Sequence, residues 1–402
     1  MKILVINTGS SSLKYKLFDM NGNRAMTGGI VERIGEKESG ISHMVFSKDG
    51  KETVYIKKKI VDQNQGMHEV VSFITDVKTG VIDAIKEIDA IGHRVVQGGE
   101  KLKTAILIND EVKKTIRDNN KLAPLHNPSN LTGIEVAERI FPGKPNIAVF
   151  DTNFHQTMPD KAFLYGLPYE LYEKYKIRKY GFHGTSHKYV VKEASRLMGK
   201  ATDRINLITL HLGNGCSACA VKKGECVDTS MGMTPLAGMM MGTRSGDIDP
   251  AIVGYLLENT DMDIRQLNRM MNKESGLKGI CGLNDMRDIH AQAQKGNEKA
   301  TLALEMFSYH IKKQIGAYFA VLGTVDAIVF TAGIGENDHI IRSKVCDNLS
   351  SFGVEVDLKK NKVSSSNPYL IHSESSRVQV WVIQTDEELQ IAREAVQVLG
   401  KD

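Results

Sequence analysis

The chain has 402 residues, 41% of them hydrophobic and 25% charged, the balance of a globular protein with room for two or three domains. A formal net charge of only +4 argues against nucleic acid as a main partner, since such binders concentrate a basic face. No apolar run reaches the roughly 18 residues that span a bilayer, MKILVIN opens as a strand rather than a cleavable signal, and the five cysteines fit a reducing compartment, so no membrane association and a cytoplasmic location are expected.

The chain opens with a strand, a Gly/Ser turn and a second strand over Ile3–Met20. Lys57-Lys58-Lys59 reads as a solvated edge strand or turn. Helical periodicity runs from His68 to Asp89, and a strand continues through DAIGHRVVQ. Ser129 is placed as the N-cap of a helix over NLTGIEVAERIF, and NIAVFDT (146–152) is a buried strand. Residues 151–185, rich in aromatics, Gly and Pro, read as a crossing between halves. Beyond them come a strand over 205–213, a helix capped by Asp249-Pro250, one long helix over 298–322 and a strand in DAIVFTAG. A helix over 338–353, a strand over 378–385 and a last helix from Asp386 complete an α/β alternation with parallel strands.

Two pairs of segments echo one another in the same order. ILVINTGSSSLKYKLFDM (3–20) resembles NLITLHLGNGCSACAVKKGE (206–225), each a strand, a Gly/Ser/Asn turn and a second strand. DAIGHRVVQGGE (89–100) is matched by DAIVFTAGIGE (326–336). The order predicts a duplicated α/β domain with a phosphate-binding hairpin in each half, because Gly turns let backbone N–H groups approach a phosphate closely. A nucleotide is expected in the cleft between the halves. Cys216, Cys219 and Cys226 cluster, but the odd spacing of Cys216 and Cys219 on a strand points them to opposite faces, so small core residues are expected rather than a metal or redox pair.

Several residues are candidates for chemistry. Arg94 sits in the apolar segment IGHRVV, where a cation needs an anionic partner; the alternative is a buried structural ion pair. Arg244 lies in GTRSGD, with an ion pair to Asp247 or Asp249 as its plain reading. Asp151 ends a strand, where open α/β sheets place ligands, or else it caps a turn. His183 is flanked by Gly181 and Gly184, which expose its ring. Ser10, Ser12 and Lys14 read as one polar face beside an apolar strand, with Lys14 a point charge for phosphate. Thr385-x-x-Glu388 reads as a capping box, which gives Glu387 a helix-terminal explanation.

Ten motifs in order, among them NTGSSSLKYKLFD, PLHNPSN, FDTNFHQTMP, KYGFHGTSHKYV, HLGNGCSACAV and DTSMGMTPLAGMMMGTRSGDIDPAI, resemble the acetate kinase family from residue 3 to about residue 395. The resemblance implies two duplicated actin-like (ribonuclease H-like, sugar kinase/Hsp70/actin type) domains, 1–150 with 386–402 and 151–385, with the active site in the cleft between them. It implies a homodimer that moves a phosphoryl group reversibly between ATP and acetate, giving acetyl phosphate and ADP by direct in-line transfer. Magnesium, with manganese as a substitute, would be held by Asn7 and Glu387. Arg94 would bind the acetate carboxylate, and Val96, Leu125, Phe182 and Pro235 its methyl group. Asp151, His183 and Arg244 would be the catalytic groups alongside Arg94. ATP would contact Ser10, Ser12 and Lys14, the segment His211, Leu212, Gly213, Asn214 and Gly215, then Asp285, Met286 and Arg287, and lastly Gly333, Ile334, Gly335, Glu336 and Asn337.

Because acetate is already ionised near neutral pH, with a carboxyl pKa of about 4, Asp151 is expected to organise an arginine or the magnesium waters rather than abstract a proton. The chain departs from the family pattern at Gln97 (usually His), Asn153 (usually small) and Ala237 (usually Glu), and GICGLNDMRD is about one residue short. A propionate or butyrate kinase of the same family is the near alternative, and an Hsp70- or actin-like ATP-dependent binding protein the remote one.

Overall fold

The structure, a computed structural model, describes residues 1–47 and 50–400. It separates into two compact units, Met1–Asn153 with the segment from Asp386 onward, and Phe154–Thr385. Among the described residues, no helix is long and apolar enough to cross a membrane.

The first unit is built on strands β1 (Lys2–Thr8), β2 (Ser12–Asp19), β3 (Arg24–Glu32), β4 (Ser39–Ser47), β5 (Gly50–Lys58), β6 (Ala90–Val95), β7 (Ile106–Leu107) and β8 (Asn146–Phe150), in the order β5-β4-β3-β2-β1-β6-β8-β7. β1, β6 and β8 run parallel, and the hairpins on the other side of β1 are antiparallel. β1 is apolar without alternation because both its faces are covered. Leu4 and Ile6 enter one core, and Val5 lies on the face where Ile391 of the last helix presses against Gly92. A Cβ at Gly92 would come within 2.8 Å of Ile391, so the close approach of helix Glu387–Val398 to β6 requires glycine. Edge strand β5 is almost wholly exposed and carries Lys57 and Lys58, with Lys59 exposed just beyond its end, as expected.

The second unit repeats the plan. Strands β9 (Asn206–Leu212), β10 (Cys216–Lys222), β11 (Glu225–Thr229), β12 (Ala327–Thr331), β13 (Tyr369–Leu370) and β14 (Gln379–Val382) order as β11-β10-β9-β12-β14-β13. β9, β12 and β14 are parallel, and β9-β10-β11 is an antiparallel meander. Thus β3-β2-β1-β6-β8 and β11-β10-β9-β12-β14 share one topology, and both sequence echoes fall on equivalent strands. The repeat extends to a side chain. Asp89 and Asp326 each accept the N–H that begins the neighbouring strand, Lys2 at 2.7 Å and Asn206 at 2.8 Å. Helices cover both faces, with Glu298–Leu322 against β10 and β9, and Gly184–Met198 against β9 and β12.

Some local expectations change. The helix expected over 68–89 spans Gln63–Thr75 and stops at Asp76, whose carboxylate takes the Lys78 and Thr79 N–H groups in a turn. The apolar residues beyond it, Ile82 and Ile88, pack into the core from a loop. The helix expected after Ser129 starts earlier, at Asn127, with Pro128 in its first turn. Asp249 does serve the helix Ala251–Asn259, accepting the Ala251 N–H, although Pro250 occupies the cap position. The helix expected over 338–353 is His339–Cys346 followed by a short turn at 350–352.

Candidate active site

In the first unit, candidates converge on Arg94, near the end of β6. Asp151, directly after β8, grips the guanidinium side-on: Oδ1 accepts from Nε at 3.0 Å, and Oδ2 accepts from Nη2. Nη1 donates to Asn7 Oδ1 at 3.4 Å, and Glu387 Oε2 lies 4.0 Å from Nε. Asp151 is buried, with its side chain 2% exposed, whereas Arg94 keeps 21%. Burial works against the Arg94 charge, but Asp151 and then Glu387 outweigh it and hold the arginine firmly protonated. Of five guanidinium N–H donors, three are engaged among the described residues, and two remain that an anion could take.

Glu387 opens the last helix, but the cap is Asp386, whose carboxylate accepts the Leu389 N–H. The expected Thr385–Glu388 capping box does not form, so capping does not account for Glu387. Burial pushes the Glu387 carboxyl up to about 7; Arg94 opposes this, and Asp151 and Glu388 add to it. Asn7 pairs across the hairpin with Lys14, which is exposed. Ser12 begins β2, while Ser10 sits exposed in the turn, so the three polar residues do not form one continuous strand face. Val96 is buried and its N–H is held by Asn130, whereas Leu125 is 69% exposed.

In the second unit, His183 caps the helix Gly184–Met198 in the left-handed region (φ 58°), a strained position for a non-glycine residue. Its ring stacks on His211 at 4.1 Å, and Nδ1 lies 2.9 Å from Ser217 Oγ. The same hydroxyl lies 2.8 Å from His187 Nε2, and His187 is held well below the usual imidazole range by burial and then by His155 and His211. Ser217 has one proton to give, so at most one of the two rings can accept from it and at least one must donate to it. His211 Nδ1 meets Ser186 Oγ at 2.8 Å. Phe182, just before His183, is buried.

Arg244 and His183 meet over Gly215. A Cβ there would lie 3.4 Å from Arg244 Nη1 and 3.5 Å from His183 Cε1. Arg244 Nη1 donates to the Pro235 carbonyl at 3.2 Å. The expected ion pair is not there: Asp247 accepts the Gly238 N–H, and among the described residues no carboxylate pairs with Arg244, whose charge burial disfavours. A partly buried guanidinium without a counterion is prepared for an anion that arrives.

A cavity of about 730 Å³ in this unit is lined by Gly213, Asn214, Asp285, Met286, Arg287, Gly333, Ile334 and Asn337, all singled out from sequence. Gly242 makes the hairpin possible, since a Cβ there would fall 2.1 Å from Asn214 Oδ1. Asp285 caps helix Met286–Gln294 and holds Arg287, whose N–H groups keep the carboxyl down near 2. Leu212 and Gly335 are buried against the sheet, and Glu336 is spent on the Ala332 and Thr385 N–H groups; none of the three lines the cavity. The sequence reading missed His290 and Asp338, which line it and pair at 2.7 Å. Their only signal was His290 three residues after Arg287 on one helix face.

Residues 2–393 match the Acetokinase family. The chain belongs to that family. It is 56% identical to the acetate kinase of Oleidesulfovibrio alaskensis over 400 residues, 99% of this chain and 100% of that one. Among solved structures, Porphyromonas gingivalis acetate kinase superposes with a TM-score of 0.94 at 42% identity, covering 99% of both chains. A propionate kinase from Francisella tularensis gives 0.89 at 42% identity, covering 98% of both. Gln97, expected to depart from the family pattern, is held by local hydrogen bonds, although its amide nitrogen is buried without a partner among the described residues. Its side-chain oxygen accepts the Gly99 N–H, and its backbone is clasped by the Asn127 amide.

Proposed function

We propose that this protein transfers the γ-phosphoryl group of ATP to acetate, reversibly, giving acetyl phosphate and ADP. The observation that carries the reading is the pairing of two arginine environments. Arg94 is charge-compensated yet has two N–H donors that its partners among the described residues do not use, which suits a carboxylate. Arg244 is uncompensated beside His183 and the Gly213-Asn214-Gly215 turn, which suits charge that develops during transfer.

The chemistry follows from these groups. A carboxylate oxygen of acetate attacks the γ-phosphorus while the bond to the β-bridging oxygen breaks and ADP leaves. No base is needed, since carboxyl groups ionise near a pKa of about 4. Asp151 therefore acts on Arg94, fixing the fork that orients acetate. His183 and Arg244 donate to the equatorial phosphoryl oxygens. Asn7, Lys14, Ser10, Ser12 and the segment 211–215 face the phosphates, and the cavity around Asp285–Arg287, Gly333 and Asn337 takes the nucleoside. Val96, Leu125, Phe182 and Pro235 would contact the acetate methyl group; Val96 and Phe182 are buried, whereas Leu125 is exposed.

Asn7, Glu387 and Asp151 are oxygen donors grouped around Arg94, a set that fits a hard divalent cation. Asn7 and Glu387 would hold magnesium, which supplies charge neutralisation to the phosphates. A homodimer is supported by the helix Ala251–Asn259, AIVGYLLEN, none of whose residues is buried and whose Tyr255 is 67% exposed. A cytoplasmic location fits a protein that consumes ATP.

Hydroxamate trapping of acyl phosphate, with ATP, magnesium and acetate, propionate or butyrate, tests the reading. Rates should fall with chain length, each methylene altering kcat/KM by roughly 10–200-fold. Preference for a longer acid would make this a sibling carboxylate kinase, and no trapping with any acid would overturn the proposal.

A further inference from the structure

Away from these groups, the second unit encloses a cluster that the phosphoryl-transfer chemistry does not use. Cys219 on β10 and Cys226 on β11 bring their sulfurs to 3.4 Å, and His155 Nδ1 lies 3.2 Å from Cys226 Sγ. One donor atom from each of the three lies within 4.8 Å of the others, and all three residues are fully buried. The arrangement is not that of the C-x-x-C pair in the sequence. Cys216 turns away, its thiol donating to the Gly213 carbonyl. A register shift between Ala220 and Val221 tilts the hairpin so that residues seven apart meet instead.

The orientation of the histidine is decisive. His155 Nε2 is 2.9 Å from the Phe182 carbonyl oxygen, which can only accept, so Nε2 carries the proton and the Nδ1 lone pair faces the sulfurs. Ligating histidines show this second bond, an N–H given to a carbonyl that fixes ring and tautomer. A Cβ at Gly181 would fall 2.5 Å from Thr229 and 2.6 Å from the His155 ring, so the backbone is fitted around the imidazole.

We propose that His155, Cys219 and Cys226 bind a divalent thiophilic cation of the zinc class as a structural site, distinct from any magnesium used with ATP. Two thiolates and a neutral imidazole around a divalent ion sum to zero charge, which suits the apolar surroundings of Met158, Phe163, Val221 and Ile383. Three protein donors leave one tetrahedral position, and the Asp228 carbonyl oxygen, 3.5 Å from Cys226 Sγ, is a further donor at hand. The ion would tie the turn carrying His155 to the β10–β11 edge of the sheet. Hard oxygen ligands serve magnesium, so the two sites do not compete for one metal.

The test uses full-length protein produced in zinc- or cobalt-supplemented medium and desalted into magnesium buffer. Elemental analysis should find about one zinc per chain, and the cobalt-grown protein a thiolate-to-cobalt charge-transfer band, which oxygen ligands cannot give. Cys219→Ala/Cys226→Ala should retain at least roughly tenfold less metal, while Cys346→Ala retains it all. The wild-type spectrum decides even where the double variant misfolds. Wild-type protein without zinc and without the cobalt band overturns the proposal, and so does an intact mass lower by two hydrogens that maps to a Cys219–Cys226 disulfide. Neither readout depends on kinase activity.

Discussion

Arg244→Ala separates a catalytic from a structural arginine. Among the described residues, Arg244 makes one hydrogen bond to a neutral carbonyl, Pro235 at 3.2 Å, and a long contact to Met241 Sδ at 3.8 Å. One such bond contributes about 1 kcal/mol, and burial of an uncompensated charge opposes it. Stability should therefore change by no more than about 1 kcal/mol in either direction. The transition state is different. In the proposed reaction the guanidinium would face charge spread over the phosphoryl oxygens, and loss of such a donor costs about 3–4 kcal/mol, or 10²–10³-fold in kcat. The assay is hydroxamate trapping with acetate and ATP varied in turn, alongside urea unfolding of the same preparations. We expect a large fall in kcat, small changes in both KM values and an unchanged urea midpoint. A midpoint shift equivalent to several kcal/mol of unfolding free energy would make Arg244 a structural residue, and unaltered kcat would remove it from the reaction.

Asp151→Asn replaces one acceptor with a donor that faces Arg94, so the acetate KM should rise more than kcat falls; an unchanged KM would mean that Arg94 does not hold the carboxylate. Glu387 has its folded pKa raised from 4.5 to about 7, so its protonated form favours the fold: its contribution is complete below pH 4.5 and is lost as pH rises through 7. With a quarter of the side chain exposed, the loss is about 2 kcal/mol. Glu387→Gln should flatten the stability profile in that window and abolish stabilisation by magnesium, both read by thermal unfolding with and without the ion. Gly242→Ala places a Cβ 2.1 Å from Asn214 Oδ1, and kcat/KM for ATP should fall on the order of 10–100-fold; normal kinetics would show that the hairpin does not hold the phosphates. Tyr255→Asp with Leu257→Asp should yield a monomer by light scattering if the exposed helix joins two copies.

The parts of the fold legible in sequence were those with local causes. The two Gly-rich hairpins and the repeated Asp-Ala-Ile were visible because a turn needs glycine and a strand start needs an acceptor, requirements met within a few residues. The helix expected over 68–89 was over-read because Val81, Ile82, Ile85 and Ile88 keep an apolar spacing while packing on the core from a loop and a single 3-10 turn, Ile85–Glu87. Periodicity records burial and does not distinguish a helix from a loop that lies on one. Partners distant along the chain were invisible. Arg94 and Asp151 could each be marked as candidates, but the side-on grip, which decides which donors remain, joins residues 57 apart. His290 needed Asp338, and Cys219 needed the bulged hairpin that brings Cys226 beside it.

The duplication explains why the candidate groups lie where they do. Aligned by strand register, Asn7 of β1 corresponds to His211 of β9, and Arg94 of β6 to Thr331 of β12. Within the strands the two units keep the same requirement, apolar side chains covered on both faces, and there they differ little. At the strand ends that requirement lapses. One unit places an arginine and an amide at these positions, beside the carboxylate of Asp151. The other places a threonine and an imidazole, followed at once by a helix that starts from a left-handed Ala332 (φ 65°). The proposed carboxylate site and the proposed nucleotide site can then differ by changes at the carboxyl ends of equivalent strands, where side chains leave the sheet without disturbing its core.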